Sequence, residues 1–225
     1  DGSGGVTQLQ VGASAGDTIQ MNPIDTRTAS LGQSAQVMAS SAGADLQSGD
    51  LELNNVEIRA TAPTDDTMST SMAGQSAVAL ANTINDSSAN SGVTATVNDN
   101  TVSGNAIQGG TLDSNNSLVI NDVTITAIDI AVSDGGDNLM DAINAATDET
   151  GVVASRNQEG NIELMASDGR NIAVETTGSA DQITGLDSGV TTGTVTLDSA
   201  ESFTVEGGDP SAVNLTAGTQ GQSAE

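Results

Sequence analysis

A ten-residue string that recurs in altered form most constrains what this 225-residue chain folds into. LELNNVEIRA, beginning at Leu51, aligns with LVINDVTITA, beginning at Leu118. Leu51, Leu53, Asn54, Val56, Ile58 and Ala60 fall opposite Leu118, Ile120, Asn121, Val123, Ile125 and Ala127, each at an offset of 67. Farther on, LANTIN aligns with LMDAIN, so that Leu80, Ile84 and Asn85 match Leu139, Ile143 and Asn144 at an offset of 59. The same offset carries Gly92, Val93 and Ala95 onto Gly151, Val152 and Ala154. Copy one therefore holds eight more residues than copy two, between Ala60 and Leu80. Two blocks in register around one gap mark a duplicated supersecondary unit.

Each copy reads as a ββα unit followed by further strand. In copy two, LVI and VTI flank Asn121-Asp122, a two-residue connection suited to a tight hairpin, and copy one has Asn54-Asn55 at the same point. Asp137 is placed to cap a short helix with the apolar stripe Leu139, Ile143 and Ala146, ended by Gly151. In copy one Ser76 takes the cap position, Leu80 and Ile84 form the stripe, and Gly92 ends it. Copy two continues as VVAS and NIELMA around Glu159-Gly160, then NIAVE beyond Asp168-Gly169. Copy one loses its alternation after Val102. The tail repeats the hairpin theme in TVTL and FTVE, and Asp209-Pro210 opens a short helical turn through Leu215. In chain order this gives a partly extended segment at 1–48, a first repeat at 49–110, a second at 111–178, and a C-terminal hairpin with short helix at 179–225. The expected class is α+β, β-rich: two ββα-type repeats with additional β-hairpins and thin, elongated cores.

Composition narrows the chemistry. Four basic residues (Arg27, Arg59, Arg156 and Arg170) face 30 acidic ones, for a net charge of −26, and hydrophobic residues make up 36%. Depletion of apolar residues with high net charge also describes disordered chains, but here the apolar residues alternate at period two, the signature of half-buried strands. The absence of His and Cys removes ordinary zinc sites, Ser-His-Asp and Cys-His nucleophiles and disulfides. The absence of Lys removes Schiff bases and the P-loop. An acidic chain without Trp or Tyr repels nucleic acid and anionic membranes rather than binding them. The chain is read as no enzyme, with no catalytic, cofactor-binding or metal-binding residue assigned and no cofactor expected.

The order "strand, IN or NN, strand, helix ending in IN, then GV-A" resembles the repeat in the outer domains of bacterial flagellins and of the filament cap protein. It stands as LVINDVTITA, LMDAIN and TGVVAS in copy two, and as LELNNVEIRA, LANTIN and SGVTAT in copy one. The stretch LQVGASAGDTIQMNPIDTRTASLG, Leu9 to Gly32, is similar to the flagellin segment that leaves the N-terminal helical core, with Leu9 where the family usually has Phe and Ser14 where it often has Asn. GTVTLDSAESFTVEGG and NLTAG also resemble flagellin outer-domain hairpins. The resemblance implies a structural component of the extracellular flagellar filament: solvent-exposed outer domains without the heptad-bearing polymerisation helices, monomeric as a fragment. Its partners by implication are neighbouring flagellin subunits, met through that helical core, with host surfaces or antibodies beyond them. The alternatives are the outer domain of the cap protein, or an extracellular adhesive or calcium-dependent module.

Several residue groups invite sharper readings. Asp134-Gly-Gly-Asp137-Asn138, Asn98-Asp99-Asn100 and Asp113-Ser-Asn115-Asn116 offer closely spaced oxygen ligands. None matches the D-x-[DN]-x-[DN]-G calcium loop with its distal Glu, and Asp, Asn and Gly are also what turns require. Asp65-Asp66 is a carboxylate pair of the kind glycosidases use, but there is no aromatic sugar platform beside it. Asn85, Asn115 and Asn214 begin N-x-[ST] sequons, while the flagellin resemblance implies O-linked sugars on unspecified Ser or Thr. Arg27 is placed to pair across a subunit or domain contact; Arg59, Arg156 and Arg170 read as local neutralisers. Phe203 reads as the core anchor of the last hairpin.

Overall fold

The computed structural model describes residues 7–10, 18–21, 34–125 and 127–221. Within it the paired-asparagine turns form as their chemistry requires. Asn54 and Asn55 take φ of 52° and 62°, and Asn121 and Asp122 take 47° and 67°. Two successive left-handed residues make the turn whose twist matches the strands it joins, and short polar side chains tolerate that conformation best.

Along the chain, β1 (Thr7–Gln10) pairs with β2 (Thr18–Met21) as an antiparallel ribbon. Next come β3 (Ala35–Ala39), the hairpin β4 (Glu52–Leu53) and β5 (Val56–Glu57), helices α1 (Ala77–Asn85) and α2 (Ser88–Ser91), and β6 (Val93–Val97). They are followed by β7 (Asn100–Ser103), β8 (Gly110–Leu112), β9 (Leu118–Ile120), β10 (Val123–Ile125) and β11 (Ile128–Ile130). Then stand α3 (Asn138–Ala145), α4 (Thr147–Thr150), β12 (Val153–Arg156), β13 (Ile162–Ala166), β14 (Ile172–Thr176), α5 (Ala180–Thr184) and β15 (Gly189–Thr191). Strands β16 (Val195–Ser199), β17 (Phe203–Glu206) and β18 (Gly218–Gln220) come last. Short helices on antiparallel sheets make this an α+β, β-rich protein.

Copy one does not stop at β6. Strand β16 lies between β3 and β6, and β17 lies between β4 and β18. Copy two is built on the same plan, with β13 between β7 and β12, and β14 between β9 and β15. The registers agree: Leu197↔Ala95 answers Ala154↔Leu164, and Val205↔Leu53 answers Val174↔Ile120. Strand β12 turns directly into β13, whereas β6 reaches its equivalent, β16, only after the whole of copy two. Copy two is nested inside copy one.

The cores follow this nesting rather than chain order. One joins residues from Ala35 to Ala95 with Val195, Leu197, Phe203, Val205, Val213 and Leu215. The other runs from Ile107 to Leu186. The division into consecutive segments at 49–110 and 179–225 therefore splits a single core. TVTL and FTVE are the closing strands of copy one, and its alternation resumes there after the interruption. Phe203, 1% exposed, anchors that shared core rather than a separate hairpin.

The helix starts divide. Ser76 caps α1, its Oγ accepting from the Ala79 amide at 3.0 Å. Asp137 occupies the expected cap position of α3 but makes no capping bond. Asp134, buried three residues earlier, accepts instead from the amides of Leu139 (3.0 Å) and Met140 (3.3 Å). The striped helices stop earlier than expected, α1 at Asn85 and α3 at Ala145, and Gly92 and Gly151, each with φ of 71°, end the short helices α2 and α4 that follow. At Gly151 packing adds a second demand, because a Cβ there would lie 2.2 Å from Cζ of Arg170.

Candidate functional site

What the two copies share is a set of asparagine clamps. The Asn54 and Asn121 side chains each bridge the turn that carries them to two other elements. Asn54 Oδ1 accepts from the Thr204 amide of β17 at 2.9 Å, and its Nδ2 donates to the Ser91 carbonyl at the end of α2 at 2.7 Å. Asn121 repeats this with the Ala173 amide of β14 (2.8 Å) and the Thr150 carbonyl of α4 (2.8 Å). Asn85 and Asn144, at the helix ends, grip the following strand from the side. Asn85 accepts from the Ala95 amide and donates to its carbonyl, both at 2.8 Å; Asn144 does the same to Ala154 at 2.7 and 3.0 Å. Ser91 and Thr150 then accept from the Val93 and Val152 amides at 3.2 and 3.1 Å. An amide side chain offers donor and acceptor together, so one residue satisfies two backbone groups that no ladder reaches. The asparagines were legible as repeat identities; their clamping role was not, and the signal for it is that they recur at both offsets.

The acidic clusters spend their oxygens locally. Asp113 Oδ1 accepts from the amides of Asn115 and Asn116, which lower its pKa from the ordinary carboxylate value. Asn98 and Asn100 bond Thr194, Thr196 and the carbonyls of Arg170 and Thr191. Between Asp134 and Asp137 the cation is Arg156: its Nη2 lies 2.7 Å from Asp137 Oδ1 and 3.4 Å from Asp134 Oδ2. The same guanidinium donates to the carbonyls of Ser133, Asp134 and Gly160, tying the loop before α3 to the β12–β13 turn. Among the described residues, no group of three or more acidic side chains is arranged to hold a metal ion. Arg156→Ala is expected to cost about 2 kcal/mol, the scale of hydrogen bonds to a charged partner. Amide exchange should show it at Ser133–Asn138 and Asn157–Gly160; unchanged protection in both loops would contradict the assignment.

Arg59 and Arg170 behave alike. Arg59 grips Asp65 through both Nη atoms (2.8 and 2.9 Å) and Asp86 through Nη2 (2.7 Å). The Arg59 hydrogen bonds hold the Asp65 carboxyl below its ordinary value, and Asp65 also accepts from the Ala62 amide. Asp65 and Asp66 thus serve different partners, since Asp66 is buried and bound to the amides of Met68 and Ser69. Arg170 pairs with Asp168 at 2.6 Å. Burial opposes the charge of Asp168, but the bonds from Arg170 outweigh it and lower its pKa. Of the sequon asparagines, Asn85 is a clamp and Asn214 donates to Ser40 and Ser41. Arg27 and most of Leu9–Gly32 lie outside the described residues.

These lowered carboxyl values set the acid limb of stability. A carboxyl with a lower pKa in the fold contributes stability that is complete above its unfolded value and lost as pH falls through the folded one. With no His in the chain, no side chain has an unperturbed pKa near neutrality. The melting temperature is expected to be flat from about pH 6 to 9 and to fall below about pH 4. A midpoint between pH 6 and 8 in a thermal series would contradict this.

A cleft beside the β8–β11 ribbon is lined by Thr111, Leu112, Asp113, Ser114, Ala127, Ile128 and Asp129. In it Thr111 Oγ1 donates to Asp129 at 2.6 Å. Among the described residues no helix is long and apolar enough to cross a membrane.

Comparison with known proteins relates part of the sequence to a known motif and to known proteins. The flagellin hook IN motif matches residues 117–168, the span from β9 through β13 that contains the second set of clamps. Flagellin A of Helicobacter pylori is 32% identical over 172 residues, covering 75% of this chain and 32% of that protein. Flagellin A of Helicobacter mustelae is 39% identical over 103 residues, 45% of this chain and 20% of that protein. Flagellin B of Helicobacter pylori is 38% identical over 114 residues, 50% of this chain and 22% of that protein. The chain thus spans between a fifth and a third of the length of these relatives. The relation read from the repeats holds: the chain carries the flagellin hook IN motif and is related to bacterial flagellins.

Proposed function

We propose that this chain is a structural component of the bacterial flagellar filament: the solvent-exposed outer region of a flagellin, with no catalytic role. The observation that carries the reading is the hook IN match falling on a unit whose clamps recur in its partner copy. Acidic side chains at high density support it physically, because like charge keeps closely arrayed outer domains soluble and apart. In this reading the partners are neighbouring flagellin subunits, with host surfaces or antibodies as further contacts of the exposed face, and the location is extracellular.

The test is genetic and structural. The segment equivalent to residues 35–221 is removed from the intact gene and the filaments are imaged by electron cryomicroscopy. Filaments that still assemble but lose their outer density support the assignment. Filaments of unchanged profile, or antibodies against this region that label no filament, refute it.

A further inference from the structure

The two copies share a plan, so the places where they differ in length call for a cause. Copy one has its eight extra residues between Ala60 and Leu80. Copy two differs at the turn between β13 and β14, which runs through Ser167, Asp168, Gly169, Arg170 and Asn171, where the equivalent β16–β17 turn has only Ala200, Glu201 and Ser202. These two departures from the repeat touch each other. The Asn171 amide donates to Ser69 Oγ at 2.8 Å, and Asn171 Nδ2 donates to the carbonyls of Ser71 and Met72, both at 3.0 Å. Ser69 in turn donates to Asp66, which also accepts from the Met68 and Ser69 amides and is 3% exposed. Asn171 is 1% exposed. On the other side of the turn, Gly169 presses on the end of β6: a Cβ there would lie 2.0 Å from Val97 Cγ1 and 2.8 Å from the Asn98 carbonyl.

We infer that the extra segment of copy one is a socket, held in shape by Asp66, and that the lengthened turn of copy two is the plug that fits it, the two together fixing the orientation of the nested unit on its host. The chain crosses between the units twice, at residues 98–100 and 192–194, and two crossings alone leave a hinge. The plug supplies the third attachment, away from the crossings in sequence. It also explains why only copy one has a socket: copy two carries no unit of its own, and its corresponding loop is shorter and tied to its own β12–β13 turn by Arg156. The inference rests on the nesting and the contacts, independently of any role in a filament.

The test uses the whole chain in solution. Residual dipolar couplings of the parent are expected to fit one alignment tensor for both units, while Asn171→Ala is expected to require two. Asn171→Ala deletes the Nδ2 bonds to the Ser71 and Met72 carbonyls, and exchange of the Ser69 amide in the loosened socket should rise about tenfold, on the scale of one net hydrogen bond. Amides in β13 and β16 should keep their parental protection, showing both cores intact. A single tensor retained in Asn171→Ala, or an unchanged Ser69 amide, overturns the inference. Should Asn171→Ala unfold, Ser69→Ala removes the other bond of the contact, the one from the Asn171 amide to the Ser69 hydroxyl, from outside both cores. There the Asn171 amide is expected to exchange about tenfold faster, and unchanged exchange overturns the inference equally.

Discussion

Phe203→Ala is expected to destabilise the outer unit by about 3–5 kcal/mol, the range for deleting a buried ring. The loss should appear in two distant parts of the sequence at once. Phe203 packs with residues between Ala35 and Ala95 as well as with Val195–Leu215, so protection from exchange should fall in β3, β4, β6, β16 and β17 together. Strands β12, β13 and β14 belong to the other core, where Ile172 stands at the position equivalent to Phe203. They should keep most of their protection at denaturant concentrations that melt the host. If only residues after Val195 lose protection, the shared core is wrong.

The second large effect belongs to Asn121. Its replacement by Ala leaves the Ala173 amide without its side-chain partner, and the Thr150 carbonyl with only a 3.4 Å bond from Arg170 Nη1, in a site 3% exposed. Each unsatisfied buried group costs about 1–3 kcal/mol. The turn at φ 47° adds about 1–2 kcal/mol, because Ala lacks the local hydrogen bonding that lets Asn rest there. A total of about 2–5 kcal/mol is expected from chemical denaturation of Asn121→Ala. Asn121→Gly separates the two contributions, since glycine accepts the turn but cannot clamp; it should recover about 1 kcal/mol of the loss. The same order, Asn then Gly then Ala, should hold at Asn54. An Asn121→Ala protein as stable as its parent would show that the clamp is incidental.

Local structure was legible in the sequence because it depends on neighbours. The Asn54-Asn55 and Asn121-Asp122 hairpins, the helical stripes, the Ser76 cap and the glycine stops all follow from residues within a few positions of one another. Asp137 misled for a related reason. It sits at the right spacing for a cap, but Arg156 binds it and Asp134 takes over the capping bonds. An ion pair spanning the distance from Asp137 to Arg156 leaves no periodic trace. The nesting was the least legible feature. Val97 pairs with Val195, and nothing in TVTL or FTVE specifies a partner beyond alternation, which any edge satisfies. The remaining cue was subtle: copy two ends in two strands and a short helix, and copy one finds those parts only in the tail. The clamp asparagines appeared first as matching letters, because their bonds run to backbone groups that sequence identity does not mark.

The double crossing between β6 and β16 also dictates an order of folding. Pairing Val97 with Val195 in an otherwise unstructured chain means closing a loop of about 100 residues, which costs about 4 kcal/mol in chain entropy beyond a fixed initiation term. The nested unit removes most of that cost if it forms first, because its two ends then emerge side by side: the Asn98 amide donates to the Thr194 carbonyl at 2.9 Å. Its strands β12 and β13 form a local hairpin, and its longest pairing, Ala166↔Asn100, closes a shorter loop than Val97↔Val195, which favours its earlier formation. In refolding kinetics the nested unit should therefore gain protection before its host, and the host's rate should slow when the guest is destabilised.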